Sequence, residues 1–120
     1  MAPPRMRRVN EAMREVLSSH IAGDLKDPRI GFVTVTAVET SPDLSAARVF
    51  VSVLGAPADQ EAALAGLRSS RGLLQAHVAR ELRMKRTPTL SFVHDDTAQQ
   101  AERIEQLIKE IEPEHKDVDA

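Results

Sequence analysis

The spacing of apolar residues along the chain changes between two periods, and these changes separate helices from strands. Over residues 6–25 the apolar positions recur every three to four residues, which predicts an amphipathic helix carrying Val9, Met13, Val16, Leu17, His20 and Ile21 on one face. Asp27-Pro28-Arg29 ends this helix, because the residue before a proline is disfavoured in helical geometry. Residues 31–40 (GFVTVTAVET) then alternate, which predicts a half-buried strand with Val33, Val35 and Ala37 on one face.

Two further strands follow from the same alternation. Turn residues at positions 41–43 lead into a strand whose apolar positions are Ala47, Val49, Val51 and Val53. Residues 89–94 predict a third strand, with Leu90 and Phe92 on one face. Asp96-Thr97 then predicts the cap of a last helix, whose apolar residues are Ala101, Ile104, Leu107, Ile108 and Ile111. This order of elements predicts an α+β domain in which helices cover a three-stranded sheet.

Between the second and third strands, residues 57–86 favour a helix that is interrupted in its middle. Ser69-Ser70-Arg71-Gly72 stands in a segment otherwise rich in Ala, Leu, Glu, Gln and Arg. A glycine inside a helix costs roughly 1 kcal/mol relative to alanine, and serines favour helix ends. We therefore predict two helices joined by a bend at Gly72, the second of which ends at Arg86, before Thr87-Pro88.

The second of these helices has an apolar and a polar face. Its apolar arc holds Leu73, Leu74, His77, Val78 and Leu82, and Glu81 interrupts that arc. The opposite arc holds Gln75, Ala79, Arg80 and Arg83. A bend at Gly72 turns the first N–H groups of this helix outward beside Arg71, and such a helix start binds phosphate. The sequence thus predicts an anion-binding corner flanked by cations.

Length and composition limit the class of protein. A chain of 120 residues forms one domain, which we assign to residues 1–112, with residues 113–120 as a flexible acidic tail. The absence of cysteine excludes disulfides and thiolate chemistry. No apolar run approaches the ~20 residues that span a bilayer, and the first residues lack the apolar run of a secretory signal. We expect a cytoplasmic protein.

Charge is unevenly distributed along the chain. Residues 1–94 hold 13 Lys and Arg against 9 Asp and Glu, whereas residues 95–120 hold 3 against 9. The densest basic stretch runs from Arg68 to Arg86, where Glu81 is the one acid among six cations. A local basic patch can bind phosphate even when the net charge is −2. The alternative, a solvated face of mixed charge, is equally compatible with the composition.

Few residues suggest catalysis or a metal site. His94-Asp95-Asp96 is a possible acid–base or metal cluster, but it also fits a strand end followed by a helix cap, which we favour. We expect no enzyme activity, no metal and no cofactor. Phe32, Phe50 and Phe92 lie one on each strand; we favour a core role for them over a platform that stacks bases.

The sequence resembles a known family over most of its length. Helix–strand–strand–helix–turn–helix–strand is the bacterial (type II) form of the KH fold. DPRIGFVTVTAVETSPDLSAARVFVSVLG (residues 27–55) and SRGLLQAHVARELRMKRTPTLSF (residues 70–92) are similar to the two signature regions of ribosome-binding factor A. In that family an Ala-x-Gly kink replaces the KH glycine turn. Here Ser70-Arg71-Gly72 keeps the glycine, with Ser70 expected to cap the second helix.

The resemblance implies a non-catalytic, monomeric factor that binds the free 30S subunit, not whole 70S ribosomes. It would act in late 16S rRNA maturation, near the 5′ end of 16S rRNA and the decoding region. Many relatives carry arginine where this chain has Gln75. Our candidate RNA-binding residues are Arg7, Arg8, Arg68, Ser70, Arg71, Gly72, Gln75, Arg80, Arg83, Lys85 and Arg86.

Two other functions remain open from the sequence. A protein-interaction module could dock through the acidic last helix or through Phe32 and Phe50. A small His/Asp hydrolase would require bound metal. Salt dependence separates an RNA-binding factor from an interaction module, because a complex held by phosphate contacts weakens steeply with salt.

Overall fold

The computed structural model describes residues 4–23, 25, 27–97 and 104–109. Three helices, α1 (Pro4–Gly23), α2 (Pro57–Ser69) and α3 (Arg71–Leu82), accompany three strands, β1 (Val33–Thr40), β2 (Ala46–Val53) and β3 (Thr89–His94). Residues 104–109 are helical and exposed. The predicted α+β order is confirmed for all six of the named elements. The proposed acidic tail, residues 113–120, and two apolar positions of the last helix, Ala101 and Ile111, lie outside the described residues.

The sheet has β2 at its centre, with β1 antiparallel on one side and β3 parallel on the other. α1 packs on β1, α2 packs on β3 and β2, and α3 lies against α1. Within the described ranges the helices cover one face of the sheet, and outward positions such as Thr34, Arg48 and Ser91 are exposed. Among the described residues, no helix has the length and apolar content that crossing a membrane requires.

One position on β1 differs from the predicted alternation. Val35 pairs with Val51 and Ala37 pairs with Phe50, so Thr36 is an extra residue, as in a β-bulge. The bulge moves Ala37 to the exposed face and places Val38 in the core, where it is 5% exposed. Our assignment of Ala37 to the Val33–Val35 face was therefore wrong. A strict period of two cannot reveal an inserted residue.

A single apolar cluster lies between the sheet and the helices. All six of the named elements contribute to it, and its largest fully buried side chains include Met13, Leu17, Leu67, Leu74 and Leu90. Phe92 is also buried, as predicted for a core residue. Phe32 is not, since it is 81% exposed, and Phe50 is partly buried on the open face near the guanidinium of Arg48. The core prediction thus holds for one phenylalanine of three.

The predicted break between the two helices is present, but Ser70 forms it. The Ser70 N–H donates to the carbonyl oxygens of Gly66 and Leu67, and its own carbonyl accepts from the Leu74 N–H. The Ser70 side chain makes no capping hydrogen bond, contrary to our expectation. Gly72 lies inside α3 without a positive φ, and a Cβ added there meets nothing within 4 Å. Gly72 is therefore not required for the bend.

The DPRIG segment holds the end of α2 at this break. Arg29 pairs with Asp27 and also donates to the Ser69 hydroxyl at 3.2 Å. Ile30 lies directly over Gly66, where an added Cβ would come within 2.7 Å of Ile30 Cγ1. Gly66, which the sequence did not single out, is thus the glycine beside the bend that permits a close approach. The family-like segment has a structural role beside the bend.

The hairpin turn between β1 and β2 is held by a carboxylate. The hydroxyls of Ser41 and Ser45 each donate to Asp43 Oδ1 at 2.7 Å, and the Ser45 N–H donates to it at 3.1 Å. These donors lower the pKa of Asp43 to about 2. The Arg29 guanidinium and backbone N–H likewise lower the pKa of Asp27 to about 2.

These two carboxylates predict acid sensitivity. A carboxylate whose pKa is lowered in the folded state stabilises the protein at pH values above the ordinary aspartate pKa of about 3.9. This stabilisation is lost as the pH falls towards 2. We therefore expect the free energy of unfolding to fall between about pH 4 and pH 2, and less so in Asp43→Asn. Urea unfolding across this range measures both curves. Parallel curves for the two proteins would contradict the assigned role of Asp43.

Candidate RNA-binding surface

Exposed cations lie at the end of α3 and in the turn after it. Arg80, Arg83, Lys85 and Arg86 are all exposed, as predicted. Within the described part of the chain, none of these four takes part in an ion pair. α3 ends at Leu82, four residues before the predicted end, so Arg83, Lys85 and Arg86 belong to the turn rather than the helix. Cations without acidic partners form a surface on which phosphate meets little competition.

Arg83 ends α3 in an unusual backbone conformation. Its φ of 51° and ψ of 46° are left-handed, and the Met84 N–H donates to the Ala79 carbonyl at 3.2 Å. This is the Schellman arrangement, in which glycine is the usual residue because a side chain is strained there. The chain thus carries an exposed arginine where glycine would fit the backbone better. Strained residues of this kind cluster at functional sites.

Arg83→Gly should separate stability from binding. Relief of the left-handed strain, less the added flexibility of the unfolded chain, should raise the free energy of unfolding by about 0.5–1 kcal/mol. The same change removes a cation, so small-subunit binding should weaken. Denaturant unfolding and subunit binding measure the two effects. Arg83→Asn, which also favours this conformation and lacks the charge, is the matched control and should lose binding to the same extent.

The beginning of α1 meets the end of α3. A shallow groove between them is lined by Arg8, Val9, Ala12, Leu82 and Met84. Arg8 is therefore a neighbour of the turn that carries Arg83 and extends the cationic surface across two helices. Arg7 is also exposed, but it lines a different groove, between α1 and β1. Arg8 therefore belongs to the cationic surface, whereas Arg7 lies beside it.

The remaining cations lie at the opposite end of α3. Arg68 is exposed on the last turn of α2, and Gly72 is exposed on the first turn of α3. Arg71 is partly buried, and its Nε has no hydrogen-bond partner among the described residues. With a rise of 1.5 Å per residue, the two ends of α3 are roughly 16 Å apart. The predicted corner and the cationic turn therefore lie at opposite ends of α3.

Two residues near the bend do not lie where the sequence placed them. Gln75 is partly buried, and its side-chain oxygen accepts from the Leu90 N–H at 3.0 Å, which ties α3 to the free edge of β3. Its position indicates a structural role beside the RNA-binding role that we assigned. Leu73, expected on the apolar arc, is 49% exposed. The buried residues of α3 are Leu74 and Val78.

The His94-Asp95-Asp96 segment begins at the last residue of β3, as in the strand-end interpretation that we favoured. Asp95 accepts from the N–H and hydroxyl of Thr97, and from the hydroxyl of the bulged Thr36 at 2.7 Å. The hydrogen bonds from Thr97 and then Thr36 lower the pKa of Asp95. Asp95 thus links the end of β3 to β1 and to Thr97.

Sequence reasoning missed one group of titratable side chains. His20 of α1 lies against His77 and Glu81 of α3, although 57 and 61 residues separate them along the chain. Glu81 is the residue that interrupted the apolar arc. The position of this acid among apolar residues was the one feature of the sequence that pointed to the cluster. The spacing of residues did not reveal which side chain it contacts.

The architecture defines the class of this protein. A helix, two antiparallel strands, two helices joined by a bend, and a strand parallel to the second form a KH-like α+β domain. A sequence model of the family described as ribosome-binding factor A matches residues 5–108. The chain belongs to the ribosome-binding factor A family.

Relatives and solved structures agree with this assignment. Ribosome-binding factor A of Halorhodospira halophila is 43% identical over 111 residues, covering 92% of this chain and 88% of the relative. The crystal structure of the Thermus thermophilus protein aligns with a TM-score of 0.67 at 32% identity, covering 74% of this chain and 94% of that one. The same protein, as a homology model fitted into a cryo-electron-microscopy map of a 30S complex, aligns with a TM-score of 0.61 at 34% identity, covering 72% and 90%.

Proposed function

We propose that this protein is a ribosome assembly factor that binds the free 30S subunit and assists late maturation of 16S rRNA. The observation that carries the proposal is a group of exposed cations at the end of α3 that form no ion pair with any described residue: Arg80, Arg83, Lys85 and Arg86. Family membership supports it, since a similar Thermus thermophilus protein has been fitted into a complex with the 30S subunit.

The cations act by position rather than by reading bases. Lysine and arginine side chains neutralise phosphates, and such contacts fix the orientation of a protein on folded RNA without reading its sequence. The start of α3 adds a second contact region, where the exposed Gly72 leaves room for a phosphate backbone. Two contact regions roughly 16 Å apart suit a target that is recognised by shape.

The mechanism is differential binding without catalysis. The factor favours one arrangement of the rRNA, near the 5′ end and the decoding region, and so raises the population of that arrangement. It dissociates when the mature subunit no longer presents the same surface. We infer a cytoplasmic monomer that works without a cofactor and leaves whole 70S ribosomes unbound.

Co-sedimentation tests the proposal directly. The tagged protein should sediment with free 30S subunits and remain unbound in a fraction of 70S ribosomes at the same concentration. Equal binding to both particles would contradict selection for the free subunit. No binding to either would overturn the proposed function.

An alternative function rests on exposed apolar side chains. Phe32 and Leu54 are 81% and 78% exposed and adjacent, since the Leu54 N–H donates to the Phe32 carbonyl. Ile104, Leu107 and Ile108 are also exposed. These residues favour a protein-interaction module. A complex of that kind would change little between low and high salt, whereas the proposed RNA complex would weaken steeply.

A further inference from the structure

Three potential metal ligands meet between α1 and α3. The imidazole rings of His20 and His77 are stacked with centroids 3.7 Å apart and an angle of 14° between their planes. His20 Nε2 is hydrogen bonded to Glu81 Oε2. One ligand atom from each of the three side chains lies within 4.8 Å of the other two. Two helices far apart in sequence therefore bring two nitrogen donors and one oxygen donor to one point.

The core fixes the backbone of this cluster on both sides. His20 lies between Leu17 and Ile21 of α1, which are 0% and 6% exposed. His77 and Glu81 lie one helical turn apart on α3, on either side of the fully buried Val78. Burial of these neighbours limits the movement of either helix. The three donors are therefore held near one another before any ligand binds.

We propose that His20, His77 and Glu81 form a binding site for a divalent transition-metal ion, with Zn²⁺ as the best fit. Imidazole nitrogen and carboxylate oxygen are the donors that Zn²⁺ accepts at 2.0–2.2 Å, and a set of two histidines and one glutamate is an established zinc ligand set. Mg²⁺ and Ca²⁺ prefer oxygen donors alone, so this set discriminates against them.

Metal capture requires a small rearrangement of side chains. The nitrogen lone pairs of two stacked imidazole rings lie in nearly parallel planes. One ring must therefore turn before both nitrogens can point at the same ion. The ion also displaces the hydrogen bond between His20 and Glu81, since a neutral imidazole and an ionised carboxylate are the forms that ligate metal. The Glu81 side chain is 45% exposed, against 15% for His20, and so provides the route by which the ion enters. Water completes a four-coordinate shell.

The site would connect the two helices that carry the cationic surface. Arg8 lies on α1, while Arg80 lies on α3 between His77 and the helix end. A bound ion adds a cross-link between α1 and α3 to their apolar contact. It would therefore stabilise the folded protein whether or not the protein binds RNA. The inference stands independently of the proposed function.

Zn²⁺ titration of the tag-free full-length protein tests the site. We expect one equivalent to bind, as measured by competition with a chromophoric chelator, and the melting temperature to rise. Mg²⁺ at the same concentration should produce neither effect. Glu81→Gln, which keeps the shape of the side chain, should weaken Zn²⁺ binding at least tenfold, because even changes to residues that only support ligands cost 10–100-fold. His77→Ala should do the same.

His115→Ala is the matched control, since it removes a histidine that is not one of the proposed ligands and should leave Zn²⁺ affinity unchanged. Circular dichroism of each variant without metal verifies that it is folded. The proposal is overturned if the wild-type protein binds no Zn²⁺, or if Glu81→Gln and His77→Ala both fold and bind it as tightly as the wild type. Loss of the single equivalent in His115→Ala alone would place the ion elsewhere and would overturn it equally.

Discussion

Replacing Arg80, Arg83 and Lys85 with glutamate together should weaken binding to the 30S subunit on the order of 100-fold. This estimate assigns about 1 kcal/mol to each lost charged contact. Each cation that neutralises a phosphate releases counterions, with a slope of about 0.7–0.9 in log affinity against log salt. The triple variant should therefore lower that slope by about 2–3 units. The measurement is subunit binding by both proteins across a salt series.

A charge-matched control separates local contacts from net charge. Reversing Arg14, Arg48 and Lys109 changes the net charge equally, but none of the three lies on α3 or the turn after it. This control should bind with a salt slope close to that of the wild type. The test variant loses an arginine that favours the negative end of α3, so its stability should fall by no more than about 1–2 kcal/mol. A folded test variant with unchanged affinity and slope would favour the protein-interaction module.

Gly66→Ala should destabilise the protein by about 1–2 kcal/mol, although alanine favours helices. The added Cβ would lie 2.7 Å from Ile30 Cγ1 and 3.2 Å from Asp27 Oδ2. Overpacking of this kind costs about 1–3 kcal/mol, and the gain in helix propensity of up to about 1 kcal/mol offsets part of it. Displacement of Ile30 would also disturb the contact of Arg29 with Ser69 at the bend. Urea unfolding measures the loss.

Gly72→Ala is the matched comparison, six residues along the same pair of helices. A Cβ there meets open space and φ is not positive, so the variant should gain up to about 1 kcal/mol. If RNA approaches the backbone at Gly72, this more stable protein should bind the 30S subunit more weakly. Equal stability losses in both variants would contradict the distinct roles assigned to the two glycines.

Local sequence patterns predicted most of the fold. The change of period between helices and strands, and the prolines at positions 28 and 88, gave the correct number and order of elements, because these signals act over a few neighbouring residues. The interruption between α2 and α3 was also predicted. The residue at which the helix breaks was not predicted, because serine and glycine both disfavour a helix interior. Beside this break, the packing of Ile30 shows that Gly66 is constrained and Gly72 is not.

Local sequence patterns also predicted part of the candidate site. Exposure of Arg80 follows from helical periodicity, whereas Arg83 is exposed in the turn that follows the helix. The sequence alone was enough to propose a cationic surface. The left-handed backbone at Arg83 was not predicted, since the sequence has no glycine there that would indicate the end of α3. The hydrogen-bond partner of Gln75 could not be predicted either, because a hydrogen bond to the edge of β3 depends on how α3 lies against the sheet.

The sequence by itself determined which segments are helical or extended, which faces are apolar and where positive charge is concentrated. These properties depend on neighbours within a turn or a strand. Tertiary structure alone decided the bulge at Thr36, the open face of the sheet and the meeting of His20 with His77 and Glu81. Each of these depends on contacts between residues that are distant in the chain. Such contacts produce no periodic pattern in the sequence.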